Sequence, residues 1–144
     1  HYLLFTGNYR WNEKEDLFVS FVSNLIHDYE HPGFTNQFVV RTKHPIAIRY
    51  NDKSVLENHH IAAAFQIYME EENNIFSWMS PEQFNSVWKR IIDVIISTDL
   101  CFHFTIFTDL KTWLDNNFPT SSPEDQLLLL KLILKMSDMF KTVR

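Results

Sequence analysis

The 144-residue sequence contains a single cysteine, Cys101, and only two glycines and five prolines. One cysteine excludes an internal disulfide framework and the paired-cysteine spacing of a zinc ribbon. Hydrophobic residues make up 45% of the chain, with thirteen Phe and four Trp, which is unlike the composition of disordered chains. The length is that of one domain or of part of one. We therefore expect a single packed unit over residues 1–144.

Basic blocks and long apolar runs are also missing. Thirteen Lys and Arg residues against eighteen Asp and Glu residues give a net charge of −5. The basic residues form no cluster of the kind that binds nucleic acid or an anionic membrane. The longest apolar stretch, Leu127 to Leu134, is interrupted by Lys131 and is far shorter than the roughly 20 residues of a membrane span. No signal peptide is visible. We expect no nucleic-acid partner and see no sign of a membrane segment. The single cysteine fits a protein of a reducing compartment, and we expect it in the cytoplasm.

What the sequence does contain is helical periodicity with clear boundary signals. Asn12 followed three residues later by Glu15 predicts the start of a helix that ends at Pro32 and Gly33. Leu17, Phe21 and Leu25, with Phe18, Val22 and Ile26, form two apolar ridges along it. Further helices are predicted at Phe38–Val40 after an Asn cap, from Ser54 to near Asn73 and Asn74, at Ser80–Ile96, Phe102–Leu114 and Ser122–Lys135, with a polar loop over Asn116–Ser122.

Two of these starts have the Ser-x-x-Glu/Gln pattern of a capping box, Ser54 with Glu57 and Ser80 with Gln83. No alternating strand pattern, internal repeat or interdomain linker is present. The predicted fold is all-α and forms one domain.

His27 and Asp28 leave the end of the first predicted helix from the same turn. Such a pair is suited to bind a metal ion, although from local sequence alone a solvated helix end or a C-terminal capping histidine is the more common explanation. His31 follows one turn later, and His44, His59 and His60 lie within the next thirty residues. A site rich in histidine and carboxylate but poor in cysteine favours zinc, magnesium or manganese.

Three segments resemble the signature motifs of the class I cyclic-nucleotide phosphodiesterases. His27–Phe38 resembles the family's HDxxHxGxxNxF signature, and Tyr50–His60 resembles its YNDxSVLENHH segment. Ser97–Leu100, followed by His103 and Phe104, is similar to the STDM motif. The likeness extends from near residue 1 to near residue 140. Tyr29-Glu30 after the His-Asp pair is locally most like the calcium/calmodulin-dependent subclass.

The resemblance implies an all-helical, HD-type metallohydrolase domain. It implies hydrolysis of the 3′ phosphoester bond of cyclic AMP or cyclic GMP by a hydroxide activated between two divalent metals, Zn²⁺ and Mg²⁺ or Mn²⁺. Carried over by motif, His27 binds the tighter, zinc-like metal and Asp28 binds both metals. Asp138 corresponds to the family's later metal-binding aspartate. His31, Glu57 and Thr98 hold the waters of the second metal.

Local sequence offers a structural alternative for several of these residues. Glu57 is also the third residue of the capping box that Ser54 begins. His59 and His60 fit hydrogen-bonded residues of a packed helix better than ligands. Phe65, Trp88, Trp113 and the Leu127–Leu134 run are expected core positions.

The family pattern is incomplete in two places. The upstream YHNxxHAxD motif, which supplies a general-acid histidine, is not in the sequence. The later aspartate normally lies in a His-x-Ala-Asp-x-Ser context, but Lys135 replaces the histidine here and Phe140 replaces the serine. We expect a domain incomplete at both ends, beginning inside a helix at Tyr2–Phe5, that needs the remaining parts of the catalytic domain and is inactive alone. A degenerate, non-catalytic homologue that serves as a structural or binding module is the alternative.

Overall fold

A computed structural model of the chain describes residues 13–115 and 122–141. Within these ranges the structure is helical and contains no strand, which confirms the predicted all-α class. In chain order the helices are α1 Glu13–Ile26, α2 Asn36–Arg41, α3 Pro45–Arg49, α4 Val55–Tyr68, α5 Pro81–Ile96, α6 His103–Asp115 and α7 Pro123–Lys141. Short 3₁₀ turns lie at Glu71–Asn73 and Leu100–Phe102.

Three helices, α1, α5 and α7, contact one another and form the centre of the fold. Their facing sides, together with one face of α4, bury a continuous apolar cluster that includes Val22, Phe65, Ile91, Leu130 and Leu134. A smaller cluster joins α2, α3 and the start of α4 through Val39, Ala47, Val55 and Leu56. The first cluster places the end of α1 beside α7.

The two apolar ridges predicted on α1 differ in their burial. Val22 and Ile26 are buried and Phe18 packs against the core. Phe21 and Leu25, on the other ridge, are 59% and 63% exposed. Since α1 contacts α5 and α7 through one stripe of its surface, the second ridge points away from the described core.

Of the two predicted capping boxes, one forms. The Ser80 hydroxyl accepts from the Gln83 amide, and the Gln83 side chain accepts from the Ser80 amide, as predicted. The Ser54–Glu57 box is wrong, because Ser54 has a left-handed backbone (φ 38°) and its side chain caps nothing at this helix end. The first predicted helix also ends earlier, at Ile26, and the α2 cap is Thr35 and not Asn36.

The remaining boundaries differ modestly. Helix α4 ends at Tyr68, short of the predicted end near Asn73 and Asn74, and a separate 3₁₀ turn covers Glu71–Asn73. Phe65 is buried and Trp88 packs against the core, as expected, whereas Trp113 is only half-buried. Predictions for Tyr2–Phe5, for Asn12, for the loop over 116–121 and for the Phe140 side chain lie outside the described residues.

In the described part of the chain, no single helix is both long and apolar enough to cross a membrane. The pair Pro81–Ile96 and Leu100–Asp115, which is bent by 86°, meets that test only when its two helices are taken together.

The difference between the two serines yields a stability prediction. Ser80→Ala removes a formed N-cap, so we expect the free energy of unfolding to fall by about 1 kcal/mol. Ser54→Ala removes a side chain that caps no helix amide, and we expect a smaller loss. Urea unfolding of the two variants measures this contrast. An equal loss for both would mean that Ser54 does cap α4 in solution.

Candidate metal centre

His27 and Asp28 lie in the turn that ends α1. The amide of His27 still donates to the Ser23 carbonyl (3.1 Å), and the amide of Tyr29 donates to the Ile26 carbonyl (3.0 Å). Glu30 then takes a left-handed backbone conformation with φ 56°. This tightening of the last turn holds the imidazole and the carboxylate at the helix end, where they face the C-terminal part of α7.

Asp138 reaches the same point from α7. The Nε2 atom of His27 lies 3.1 Å from Oδ2 of Asp28 and 3.5 Å from Oδ1 of Asp138. One potential ligand atom from each of the three residues lies within 4.8 Å of the other two. The structure therefore brings together the three residues that sequence comparison nominated from two distant segments.

These separations are compatible with atoms that share one metal ion. With metal–ligand distances of about 2.1 Å, two ligands are about 3.0 Å apart at a right angle and about 3.4 Å apart at a tetrahedral angle. The observed 3.1 and 3.5 Å fall at these values. The donor set of one imidazole and two carboxylates suits zinc, manganese and other divalent ions.

The hydrogen bonding of His27 leaves the correct nitrogen facing the two aspartates. Its Nδ1 atom lies 2.9 Å from the carbonyl oxygen of Asn24. Because a carbonyl can only accept, Nδ1 carries a hydrogen, and Nε2 is the ring nitrogen that faces the two aspartates. A second partner of this kind fixes the ring of a metal-binding histidine. His27 is also a C-terminal capping histidine of α1, so the structural and the metal-binding interpretations are compatible.

Burial is uneven across the three residues. His27 is 3% exposed, whereas the side chains of Asp28 and Asp138 are 53% and 42% exposed. The alternative of a solvated helix end is therefore wrong for His27. The imidazole forms the fixed wall of the site, and the two carboxylates open towards solvent.

Glu57 is held by Asn36 and not by a local capping box. The Asn36 side-chain amide donates to Oε2 of Glu57 (2.8 Å), and its carbonyl oxygen accepts from the Leu56 amide (2.9 Å). Asn36 thus caps the first turn of α4 from α2 and orients Glu57 at the same time. Burial raises the pKa of Glu57, while the hydrogen bond from Asn36 opposes that rise.

The two other supporting residues make ordinary local contacts. Nδ1 of His31 accepts from the Gly33 amide (3.0 Å), and the His31 ring stacks on His60 with centroids 5.5 Å apart. The Thr98 hydroxyl donates to the Ile95 carbonyl (2.8 Å) at the end of α5. Neither residue is among the three whose ligand atoms converge in the described structure. Their role as holders of metal-bound water is still a prediction.

His59 and His60 have protein partners, as the packed-helix interpretation expected. His60 is 2% exposed and its Nδ1 lies 2.6 Å from the Tyr29 carbonyl oxygen. Burial lowers the pKa of His60, which favours its neutral form. Nε2 of His59 lies 3.2 Å from Oε2 of Glu30. His60 therefore ties α4 to the turn that carries Asp28.

Sequence reasoning did not assign three residues that shape the site: Asn24, Asn36 and Lys135. Asn24 acts through its backbone, so no side-chain signal marks it. Asn36 is part of the first signature segment, and its position there was the available signal. Lys135 was noted only as a departure from the family pattern.

Comparison with known proteins gives a consistent result. The family model described as 3′5′-cyclic nucleotide phosphodiesterase matches residues 1–144. The high affinity cGMP-specific 3′,5′-cyclic phosphodiesterase 9A of Homo sapiens and that of Pan troglodytes are each 37% identical to the chain over 129 residues. That match covers 90% of this chain and 22% of each relative, so the chain spans about a fifth of their length.

Solved structures agree with the sequence matches. The phosphodiesterase domain of the RhoPDE fusion protein from the choanoflagellate Salpingoeca rosetta superposes with a TM-score of 0.89 at 28% identity, covering 95% of this chain and 44% of that one. A second structure, of the phosphodiesterase domain of the Salpingoeca rosetta rhodopsin phosphodiesterase, gives a TM-score of 0.81 at 30% identity and covers 86% and 39%. The predicted HD-type helical fold is confirmed.

Proposed function

The chain belongs to the 3′,5′-cyclic nucleotide phosphodiesterase family, and from that premise we propose that it supplies the metal-binding part of a site that hydrolyses cyclic AMP or cyclic GMP. The reaction converts the cyclic 3′,5′ phosphodiester into a 5′-nucleoside monophosphate. The observation that supports the proposal most strongly is the convergence of His27, Asp28 and Asp138 from two ends of the described chain.

The family is metal-dependent, and the donors present suit two ions of different kinds. His27, Asp28 and Asp138 are proposed to hold the tighter, zinc-like ion, and Asp28 to contribute to a second site for Mg²⁺ or Mn²⁺. When bound, divalent ions of this kind lower the pKa of water and stabilise negative charge on a phosphate. His31, Glu57 and Thr98 are proposed to hold the waters of the second ion.

The protein's own part in this chemistry is orientation. Asn24 keeps the His27 ring turned with Nε2 towards the aspartates. Asn36 holds the carboxylate of Glu57 while it caps α4. His60 fixes the Asp28 turn from α4. Such second contacts are worth roughly 10- to 100-fold in metal affinity or activity.

The substrate is proposed to be one of the two common cyclic nucleotides. Relatives named as cGMP-specific share 37% identity with the chain, which makes cyclic GMP the first substrate to test. The remaining parts of the catalytic domain are proposed to supply the leaving-group acid and the nucleotide-base pocket, since the described residues contain no candidate for either.

The test is a hydrolysis assay on the full-length protein with cyclic GMP and cyclic AMP, in the presence of Zn²⁺ with Mg²⁺ or Mn²⁺. We expect a 5′-monophosphate product whose formation stops after dialysis against a chelator and returns when metal is restored. Turnover that persists through chelation would contradict the metal centre. Absence of turnover by a folded, metal-loaded protein would favour the second candidate.

That second candidate is a non-catalytic homologue that acts as a structural or binding module. The observation in its favour is the ammonium group of Lys135, which interacts electrostatically with Asp138 and Glu57. Binding of a cyclic nucleotide or a metal ion without turnover is the result that would distinguish it.

A further inference from the structure

Lys135 lies on α7 one turn before Asp138, and its side chain is held in place. Nζ of Lys135 donates to the carbonyl oxygen of Ser97 at 3.2 Å. Ser97 is the C-cap residue of α5. Free carbonyl groups and the negative end of the helix dipole favour a cation at this place. The ammonium group therefore lies at the C-terminal end of α5, between two core helices.

The groups around this ammonium are predominantly acidic. Asp138, Asp99 and Glu57 each attract it, and these attractions oppose the effect of burial, which lowers the pKa of Lys135. Asp99 and Glu57 also repel each other electrostatically. Lys135 is thus one turn from the proposed metal ligand Asp138 on α7, and its Nζ contacts the carbonyl of Ser97, the residue before Thr98, which is proposed to hold waters of the second ion.

We propose that Lys135 is a resident cation of the site, which weakens binding of the second divalent ion so that only one ion is held tightly. The inference rests on the proposed function, because it assumes the metal centre at His27, Asp28 and Asp138. The single positive charge of the Lys135 ammonium group repels a divalent ion that lies several ångström away. In a partly exposed site, this repulsion is enough to lower the affinity for that ion on the order of tenfold. The ion held by His27 has three direct donors and withstands that repulsion better than an ion held chiefly through waters.

A purely structural role for Lys135 makes a different prediction. If the side chain only caps the carbonyl of Ser97, its charge has no effect on metal binding. Gln at this position keeps an N–H donor of shorter reach without the charge, and Arg keeps the charge. Lys131, one turn earlier on α7, provides a matched loss of charge on the same helix, and no hydrogen bond or ion pair found among the described residues joins it to Ser97 or to the acidic groups.

The experiment is titration of metal-free, full-length protein with MnCl₂, with free Mn²⁺ followed by electron paramagnetic resonance. We expect the wild-type protein, Lys135→Arg and Lys131→Gln to bind one Mn²⁺ tightly and a second one weakly. In Lys135→Gln we expect the second Mn²⁺ to bind about tenfold more tightly. Asp138→Asn is expected to lose the tight ion. Far-UV circular dichroism checks folding, and Lys135→Met replaces Lys135→Gln if the latter is unfolded.

The outcomes separate this inference from the proposed function. Unchanged Mn²⁺ binding in folded Lys135→Gln, with loss of the tight ion in Asp138→Asn, overturns the role of Lys135 and leaves the metal centre in place. Equal tightening in Lys135→Arg or in Lys131→Gln also overturns it. No Mn²⁺ bound by the wild-type protein or by any variant overturns both.

Discussion

Asp28→Ala is expected to lower kcat/KM for cyclic nucleotide hydrolysis by on the order of 10³-fold or more, without unfolding the protein. The substitution removes a carboxylate proposed to contact both metal ions, and metal-derived charge stabilisation is worth several kcal/mol in such sites. The side chain is 53% exposed, so its loss leaves no cavity in the core. The measurement is steady-state hydrolysis under saturating metal, together with the melting temperature.

A matched control for Asp28→Ala is Asp109→Ala. Asp109 is an exposed aspartate on α6, so the same chemical change is made away from the converging ligands. We expect its kcat/KM to stay within about twofold of wild type, because surface substitutions usually have small effects. If Asp28→Ala hydrolyses the substrate at the rate of the Asp109→Ala control, Asp28 has no part in the reaction. The metal centre proposed from the family motifs would then be wrong.

Much of the fold follows from local sequence. Ser80, Pro81 and Gln83 predict the start of α5 because both hydrogen bonds of the capping box are made within four residues and proline fits the first helical position. The α1 periodicity predicts the buried stripe that includes Val22 and Ile26. Signals of this kind depend only on residues that are close in the sequence, so they can be read without knowledge of the tertiary structure.

The errors occur where a distant residue takes over a local role. Ser54 and Glu57 have the sequence of a capping box, yet Asn36 on another helix caps Leu56 and binds Glu57 instead. The amide group of Asn36 satisfies both groups at once, and Ser54 is left in a left-handed conformation. A local pattern cannot reveal such a competitor, because the two partners are brought together only by the packing of α2 on α4.

The residues of the candidate metal centre could be predicted from the sequence only through its resemblance to the family motifs. An adjacent His-Asp pair at a helix end has a structural explanation, and Asp138 alone is one of many acidic residues. Comparison of motifs nominated all three residues, and the contact of α1 with α7 brings their ligand atoms within 4.8 Å. No sequence motif predicts the electrostatic interactions of Lys135 with Asp138, Asp99 and Glu57.

The contact of α1 with α5 depends on a buried ion pair, and breaking that pair is expected to cost about 3–5 kcal/mol of unfolding free energy. Asp16, on α1, is fully buried and pairs with Arg90, on α5, whose side chain is 20% exposed. Arg90→Met leaves the Asp16 carboxylate in the core without its cationic partner, so desolvation is no longer compensated. Urea unfolding measures the loss. Since His27 lies in the turn that ends α1, we also expect weaker Mn²⁺ binding in this variant.

The double variant Asp16→Leu/Arg90→Met separates loss of the pair from loss of packing. Replacing both charges by apolar groups of similar size leaves no uncompensated charge, so we expect its stability to lie within about 2 kcal/mol of wild type and above that of Arg90→Met. The exposed pair of Lys43 and Asp52, with Nζ and Oδ2 3.2 Å apart, is the surface comparison. Lys43→Met should cost less than about 1 kcal/mol. If Arg90→Met is no more damaging than Lys43→Met, the Asp16–Arg90 pair does not hold α1 against α5, and the position of His27 must depend on other contacts of α1, such as the apolar contacts of Val22 and Ile26.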